Sequence, residues 1–352
     1  MPLPRAEGLP APTVKAPMAV GEFELISRLK AVLDASPSDD TTTPLIGIGD
    51  DAAVVERDNY LELHTTDTLV DGVHFRTGEI TWRDLGWKSM AVNQSDIAAM
   101  GGRPRYALVT LGLPPETDAT DIEELYRGIG EACSANGGRC VGGDIVRSPV
   151  LFVTVSLTGE SARRSDGKSL ILRRDTMKSG DLIAVTGPLG SSAGGLRVLA
   201  VGSHSRDAAT LRRSHFRPWP RVKEGETIAI CGVEAAMDIS DGLLADLTKM
   251  ASVSGVNASV EADKVPVLGA LKRLFPDDYL GLALAGGEDY ELLFAAPPAT
   301  MRRTLRQLGR GAVVIGEALP RNRSVAGRVR VTGPSGAEIK IARMGWDHLR
   351  DT

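Results

Sequence analysis

Gly47-Ile48-Gly49-Asp50-Asp51-Ala52-Ala53 opens a stretch that crosses two short apolar segments and reaches Thr65-Thr66-Asp67-Thr68-Leu69-Val70-Asp71-Gly72-Val73-His74. Residues 52–55 and 60–66 read as strands joined by the polar turn Arg57-Asp58-Asn59, a hairpin with acidic residues at the ends of its segments. A lone Asp pair in a glycine turn is most often a solvated loop. Further acidic clusters change that reading here: Ser95-Asp96 in a helical stretch, Gly142-Gly143-Asp144 after a strand, Asp238-Ile239-Ser240-Asp241-Gly242 at a helix start, and Gly286-Gly287-Glu288-Asp289-Tyr290 before another strand. So many carboxylates, most beside glycine, suggest one site. Two carboxylates about 5 Å apart repel by roughly 3 kcal/mol at an effective dielectric near 20, so a converged set demands cations. Asp and Thr oxygens with no His or Cys among them favour magnesium or calcium over zinc or copper.

Working outward, Leu25, Ile26, Leu29, Val32 and Leu33 stand at helical spacing and predict a short amphipathic helix over 22–33. Downstream, a helix over 82–100 ends at Gly101-Gly102 with Pro104 as a stop signal, and its Asn93 and Asp96 share a face. A strand over 106–113, a helix over 120–135 and a strand over 150–158 complete a first half of order β-β-α-β-α-β. After a charged stretch, 163–178, the pattern restarts with a strand over 182–186 and the glycine-rich turn Gly187-Pro188-Leu189-Gly190-Ser191-Ser192-Ala193-Gly194-Gly195. Two readings of that turn stand side by side: a phosphate cradle on backbone amides, or a plain helix start. His215-Phe216-Arg217-Pro218-Trp219-Pro220 breaks the chain, and Ser240 or Asp241 can cap a helix carrying Leu243, Leu244, Leu247 and Met250. Strands over 290–295, 312–319 and 329–331 and a helix over 299–308 follow. The expected fold is mixed α/β in two domains, 21–164 and 165–352, behind a Pro-rich tail, 1–20, expected to be disordered rather than a targeting signal.

The chain has 352 residues, 42% apolar, 24% charged and 4% aromatic, which is the composition of a soluble globular protein with ample core. A formal net charge of −4 argues against a nucleic-acid surface. No apolar run approaches the roughly 18 residues of a membrane span. Cys133, Cys140 and Cys231 form no C-x-x-C pair, and their odd number fits reduced thiols in a cytoplasmic protein. The histidines His64, His74, His204, His215 and His348 show no metal-binding spacing, and no Ser or Cys sits in a nucleophile elbow. What remains is a hard-metal ligand set with Arg147, Arg173 and Arg174 as phosphate partners, which suits phosphoryl transfer by positioning and charge neutralisation. If the acceptor is itself a phosphate, ionised above about pH 6, it needs no general base.

Seven strings in order carry a resemblance: G-E-F-E-L-I (21–26), G-I-G-D-D-A-A (47–53), T-T-D-T-L-V-D-G-V-H-F (65–75), A-V-N-Q-S-D-I-A-A-M-G (91–101), G-G-D (142–144), D-I-S-D-G-L (238–243) and G-G-E-D-Y-E-L (286–292). Together they resemble the thiamine-monophosphate kinase family, which shares a superfamily with aminoimidazole ribonucleotide synthetase and selenophosphate synthetase. The resemblance implies a two-domain α/β fold, a cytoplasmic homodimer whose N-terminal sheets join into a barrel, and direct transfer of the ATP γ-phosphoryl group onto thiamine monophosphate. It implies magnesium ligands at Asp51, Thr65, Thr66, Asp67, Asp96, Asp144, Asp238 and Asp241, nucleotide contacts at Gly143, Asp144, Arg174 and Ser240, and substrate contacts at His74, Glu288 and Trp346. No side-chain acid or base is implied. Two departures stand out: Ile145-Val146 follows Asp144 where the family often has a hydroxyl residue, and the stretch after Arg173-Arg174 lacks the usual glycine turn, leaving both arginines open as the nucleotide contact. Rival readings are another ATP-using superfamily member with a different acceptor, and a non-catalytic nucleotide or magnesium sensor. The absence of Cys from residues 1–46 argues against a selenophosphate synthetase.

Overall fold

A computed structural model describes residues 21–35, 43–321, 327–339, 341 and 345. The tail 1–20 and Trp346 lie outside the described residues. Two units are described separately. In the first, helix α1 (Glu22–Asp34) buries none of its residues, and Glu24 with Arg28 and Lys30 with Asp34 form ion pairs one turn apart.

All other described elements belong to the second unit, residues 39–346. Its first sheet is built from β1 (Ala53–Glu56), β2 (Leu61–Val70), β3 (Gly102–Leu113), β4 (Arg139–Arg147), β5 (Phe152–Arg163) and β6 (Ser169–Leu170), with α2 (Trp82–Ala99) after β2 and α3 (Ala119–Asn136) after β3. The strand order is β1-β2-β5-β3-β4, with β6 on β5, and only β3 and β4 run parallel. The second sheet combines β7 (Leu182–Val185), β8 (Ala235–Asp238), β9 (Asn257–Glu261), β10 (Leu292–Ala296), β11 (Val313–Leu319) and β12 (Val329–Thr332) in the order β12-β9-β11-β7-β10-β8. Between its strands lie α4 (Ser191–Val201), α5 (Arg206–Phe216), α6 (Val222–Ile230), α7 (Leu243–Val253), α8 (Gly269–Leu274), α9 (Tyr279–Ala285) and α10 (Pro298–Leu308).

Alternation along β2, β3 and β5 turns Leu63, Leu69, Val109, Leu111, Val153 and Val155 onto Leu85, Met90, Ile97, Leu125 and Ile129 of α2 and α3. The opposite side of α2, through Ala98 and Ala99, joins a second cluster with Val222, Ile228, Phe294 and Met301. Fourteen of the 18 residues of α2 are therefore buried, and the helix links the two sheets. Thr81 starts it by accepting from the Asp84 amide at 3.1 Å. Its approach to α3 is backbone to backbone: a Cβ on Gly86 would sit 1.8 Å from the Leu125 carbonyl oxygen, and one on Gly128 would sit 1.9 Å from that of Arg83.

Three local expectations change. Pro104 does not delay the strand after α2; β3 begins at Gly102, and a register shift against β5 between Pro104 and Ala107 absorbs the missing amide. Gly142-Gly143-Asp144 lies inside a strand, β4, whose glycines had hidden its alternation. Neither Ser240 nor Asp241 caps α7. Instead Asp246, inside the helix, turns back and accepts from the amides of Ser240, Asp241 and Gly242 at 3.1, 3.0 and 3.1 Å. Among the described residues no helix is long and apolar enough to cross a membrane.

Candidate active site

Strand alternation decides which residues of Thr65-Thr66-Asp67 can act together. Thr65 faces α2, where its hydroxyl donates to Asp96 Oδ2, and the Asp67 amide donates to Asn93 Oδ1 at 3.0 Å. Thr66 faces the other way and bonds the Val155 carbonyl and the Ser156 hydroxyl, both at 3.1 Å. Its hydroxyl therefore points away from the side of β2 that carries Thr65 and the carboxylates. Ser95, on the buried side of α2, donates to Asp238 Oδ2 at the end of β8 at 2.6 Å. Carboxylate oxygens of Asp51, Asp96 and Asp238 thus meet within 4.8 Å of one another.

Three ionised carboxylates at that separation repel by about 3 kcal/mol per pair, about 10 kcal/mol in all, which rivals the net stability of a whole domain. The chain answers by suppressing charge. Burial, then the charges of Asp67, Asp238 and Asp51, hold Asp96 well above the ordinary carboxylate range, and burial and Asp51 do the same to Asp238. Burial also raises Asp51 against the opposing pull of Arg174, and burial with Asp51 pushes Asp50 to about 7. Asp51 Oδ2 is buried with no hydrogen-bond partner. An orphaned carboxylate oxygen amid hard oxygen donors fits a divalent hard cation such as magnesium.

Arg173 and Arg174 now separate. The Arg173 guanidinium pairs with Asp175 at 2.9 and 2.6 Å, both side chains well exposed. Arg174 is buried against the site, bonding Asp51 and lying 3.4 Å from Asp50 Oδ1.

The loops after β8 and before β10 zip together through their backbones. Ile239 N donates to Glu291 O at 2.8 Å, Tyr290 N to Ile239 O at 2.9 Å and Glu288 N to Ser240 O at 2.7 Å. Contact is close enough that a Cβ on Gly287 would lie 2.5 Å from the Ser240 carbonyl oxygen. Glu288 and Tyr290 sit at φ of 64° and 52°, a left-handed conformation worth on the order of 1–3 kcal/mol of strain each. Glu288 Oε1 pairs with Lys88 Nζ at 2.7 Å, and Oε2 lies 3.3 Å from His215 Nδ1. His74 Nδ1 accepts from the Val70 amide at 3.1 Å, which leaves the ring proton on Nε2. Asp241 pairs with Lys249, whose charge reaches Asp51.

Gly143 and Asp144 are not brought to this cluster within one chain. Cross-strand registers align Thr68, Thr154, Thr110 and Asp144 in one row, so Asp144 stands three strand spacings, about 14 Å, from β2. It is exposed and accepts from the Ile145 amide at 2.9 Å. The glycine-rich turn also resolves: the amides of Gly190 and Ser192 donate to Asp289 at 2.6 and 3.1 Å, so a carboxylate of this chain takes the place a phosphate would have. A cavity of about 1200 Å³ lined by Trp87, Trp219, Arg83, Arg127, Arg213 and Arg217 touches none of the clustered carboxylates.

Comparison with known proteins gives the family. The family models described as AIR synthase related protein, N-terminal domain and C-terminal domain, match residues 49–161 and 178–328. The thiamine-monophosphate kinase of Aquifex aeolicus is 35% identical over 94% of this chain and 98% of its own length. That of Salmonella typhimurium is 39% identical over 85% of this chain and 88% of its own. A solved structure titled AaThiL complexed with AMPPCP and TMP superposes with a TM-score of 0.80 at 32% identity, covering 96% of this chain and all of that one. The chain belongs to the thiamine-monophosphate kinase family.

Sequence reasoning passed over several residues that shape this kinase-family site. Lys88 lies inside the predicted helix 82–100 with no motif of its own, although a lysine amid apolar neighbours signals a buried partner. Ser95 was noted only as the neighbour of Asp96. His215 opens the string 215–220 that predicts a chain break, yet it lies buried in the last turn of α5. Asp246, which holds the loop before α7, stands in none of the seven strings, and Asp289, inside G-G-E-D-Y-E-L, carries no implied role although it holds the glycine-rich turn.

Proposed function

We propose that this chain transfers the γ-phosphoryl group of ATP directly to thiamine monophosphate, forming thiamine diphosphate and ADP. Membership of the thiamine-monophosphate kinase family supports the reaction, and the observation that carries it physically is the convergence of Asp51, Asp96 and Asp238 around an unpartnered carboxylate oxygen. Asp51, Thr65, Asp67, Asp96, Asp238 and Asp241 would hold magnesium here, with Thr66 able to offer its main chain. Bound magnesium would neutralise phosphate charge and let two polyanions approach.

The chain's own groups supply the rest. Arg174 binds and orients nucleotide phosphate from its place beside Asp51, and Ser240 borders the same space. His74, through its Nε2 proton, and Glu288 hold the acceptor, with Trp346 as a further substrate contact; Gly345, the residue before it, lies against the Asp241 carbonyl. The acceptor phosphate is already ionised at neutral pH, so no side chain need remove a proton.

The reading extends to a cytoplasmic homodimer with an N-terminal nucleotide and magnesium domain, 21–164, and a C-terminal domain, 165–352. Support for the dimer comes from the open edge at β4, where Val141, Ile145 and Val146 are exposed beside Tyr106 and Leu108 of β3. A second copy docking there would extend the sheets into a barrel and carry Gly143 and Asp144 to a nucleotide.

Incubation with ATP, magnesium and thiamine monophosphate tests the reaction. Thiamine diphosphate and ADP should form in equal amounts, chelator should abolish both, and unphosphorylated thiamine should be inert. ATP binding without product would overturn this reading in favour of another acceptor or a sensor.

A further inference from the structure

Lys88 is fully buried, with 0% exposure, in the middle of α2. A buried ammonium is tolerated only with a partner, and its partner is Glu288 Oε1 at 2.7 Å. The other carboxylate oxygen faces His215 Nδ1 at 3.3 Å, and the Ser192 hydroxyl, 3.0 Å from the same nitrogen, holds the ring. Lys88 Nζ also lies 3.5 Å from the His74 carbonyl oxygen. Three separate elements, α2, α5 and the start of α4, therefore converge on one carboxylate that the backbone holds in a strained conformation. The Glu288 side chain nevertheless keeps 27% of its surface exposed. An ionised carboxylate offers about four lone-pair positions, so acceptor capacity remains on its open side.

We infer that Lys88 and His215 are positioning residues, Lys88 holding Glu288 as an anion and His215 aiming it, which makes Glu288 a specificity determinant for the cationic, N–H-bearing end of the phosphate acceptor. The inference rests on the proposal that Glu288 contacts that acceptor. A fixed anion at this point attracts an amino-bearing heteroaromatic cation and repels phosphate, so it also sets which end of the acceptor faces the carboxylate cluster. The charged and titratable groups around Glu288 are Lys88 from α2, His215 from α5, His74 from the turn after β2, and Tyr290. Burial alone would push the Glu288 carboxyl up, but the Lys88 charge leads the opposing pull and the carboxyl is held below the usual range. Without Lys88, the largest opposing charge is gone and burial pushes the Glu288 carboxyl up.

Steady-state kinetics of Lys88→Met between about pH 6 and about pH 9 test this. At neutral pH the KM for thiamine monophosphate should rise by about tenfold or more, while kcat and the KM for ATP stay within about threefold. That raised KM should fall as pH increases and Glu288 ionises, whereas the wild-type value stays flat. His215→Asn should raise the KM in smaller measure and without pH dependence, because the imidazole is neutral over this range and acts by contact. Lys88→Met combined with Glu288→Gln, which leaves no unpaired charge, should keep a high KM with no pH dependence. If Lys88→Met does not fold, the double variant and His215→Asn decide the matter, and a wild-type KM in both would overturn the role. A pH-independent KM in Lys88→Met, or a loss of thermal stability and kcat with KM unchanged, would overturn the positioning role. Wild-type protein that turns over ATP with another acceptor, but does not bind thiamine monophosphate, overturns the assignment of Glu288 and this role with it.

Discussion

Asp96 and Asp238 show at the scale of single residues how function opposes stability. Each stays well above the ordinary carboxylate range because burial and neighbouring charge penalise ionisation. Replacing Asp96 by Asn removes a group whose ionisation the fold opposes while keeping an acceptor for the Thr65 hydroxyl. The metal-free protein should become more stable by about 1–3 kcal/mol at pH 8, read as a higher Tm in chelator, while activity falls by at least about a hundredfold. A variant with lower Tm in chelator would mean that the cluster is not electrostatically strained. His215 gives the opposite pH sign to a strained carboxylate. Burial, with the Lys88 charge, pushes it down to about 4 from an ordinary 6.5. Between those values the unfolded chain binds a proton that the folded chain refuses. Stability from this group is thus complete above pH 6.5 and declines as pH falls towards 4, by on the order of 3 kcal/mol. His215→Gln should lose this acid sensitivity, seen as a smaller drop in urea midpoint between about pH 7.5 and about pH 5 than in wild type.

Between elements, packing at α2 explains why the site is rigid. Gly86 and Gly128 let α2 and α3 touch backbone to backbone, and the added methyl of Ala at Gly86 would lie 1.8 Å from a carbonyl oxygen that cannot rotate away. Gly86→Ala should destabilise by about 3 kcal/mol or more and weaken metal binding, because Asn93, Ser95 and Asp96 ride on the same helix. Chemical denaturation and calorimetric magnesium titration would show both losses together. The extent of α2 was legible from its periodicity and the glycines after it; its burial on nearly all sides was not, because that depends on the second sheet closing over Ala98 and Ala99. β1, β2, α3 and α10 were legible for the same local reason. β4 was not, since Gly142 and Gly143 break its alternation, nor were β8 and β9, four and five residues long. Of the ligands that the resemblance implies, Asp51, Asp96 and Asp238 converge, with Thr65 bonded to Asp96, and the motifs that name them are contiguous strings. Lys88 and His215 escaped because their meaning lies in Glu288, hundreds of ångströms of extended chain away for Lys88 and dozens of residues away for His215.

At the scale of the whole molecule, the position of Asp144 decides what one chain can do alone. It stands about 14 Å from β2 across the sheet, too far to share a cation with Asp96 in the same copy. The strand that carries it is an open edge with exposed Val141, Ile145 and Val146, an arrangement soluble proteins normally cover. The proposed pairing with a second copy would answer both facts, since it would bury the edge and bring a partner's Asp144 towards a nucleotide. Ile145→Glu places a charge in that contact without touching the core of the second unit. The variant should run as a monomer of 37.3 kDa in light scattering, where the wild type runs at twice that mass, and should keep its far-ultraviolet spectrum. Activity should fall by at least about a hundredfold, as expected when an electrostatic phosphate contact is withdrawn. Adding inactive Asp96→Asn chains, whose own β4 is intact, to Asp144→Asn chains should restore part of the turnover, because mixed dimers then contain one site built from Asp96 of one copy and Asp144 of the other. Monomers with full activity, or mixtures with no recovery, would place all the chemistry within a single chain.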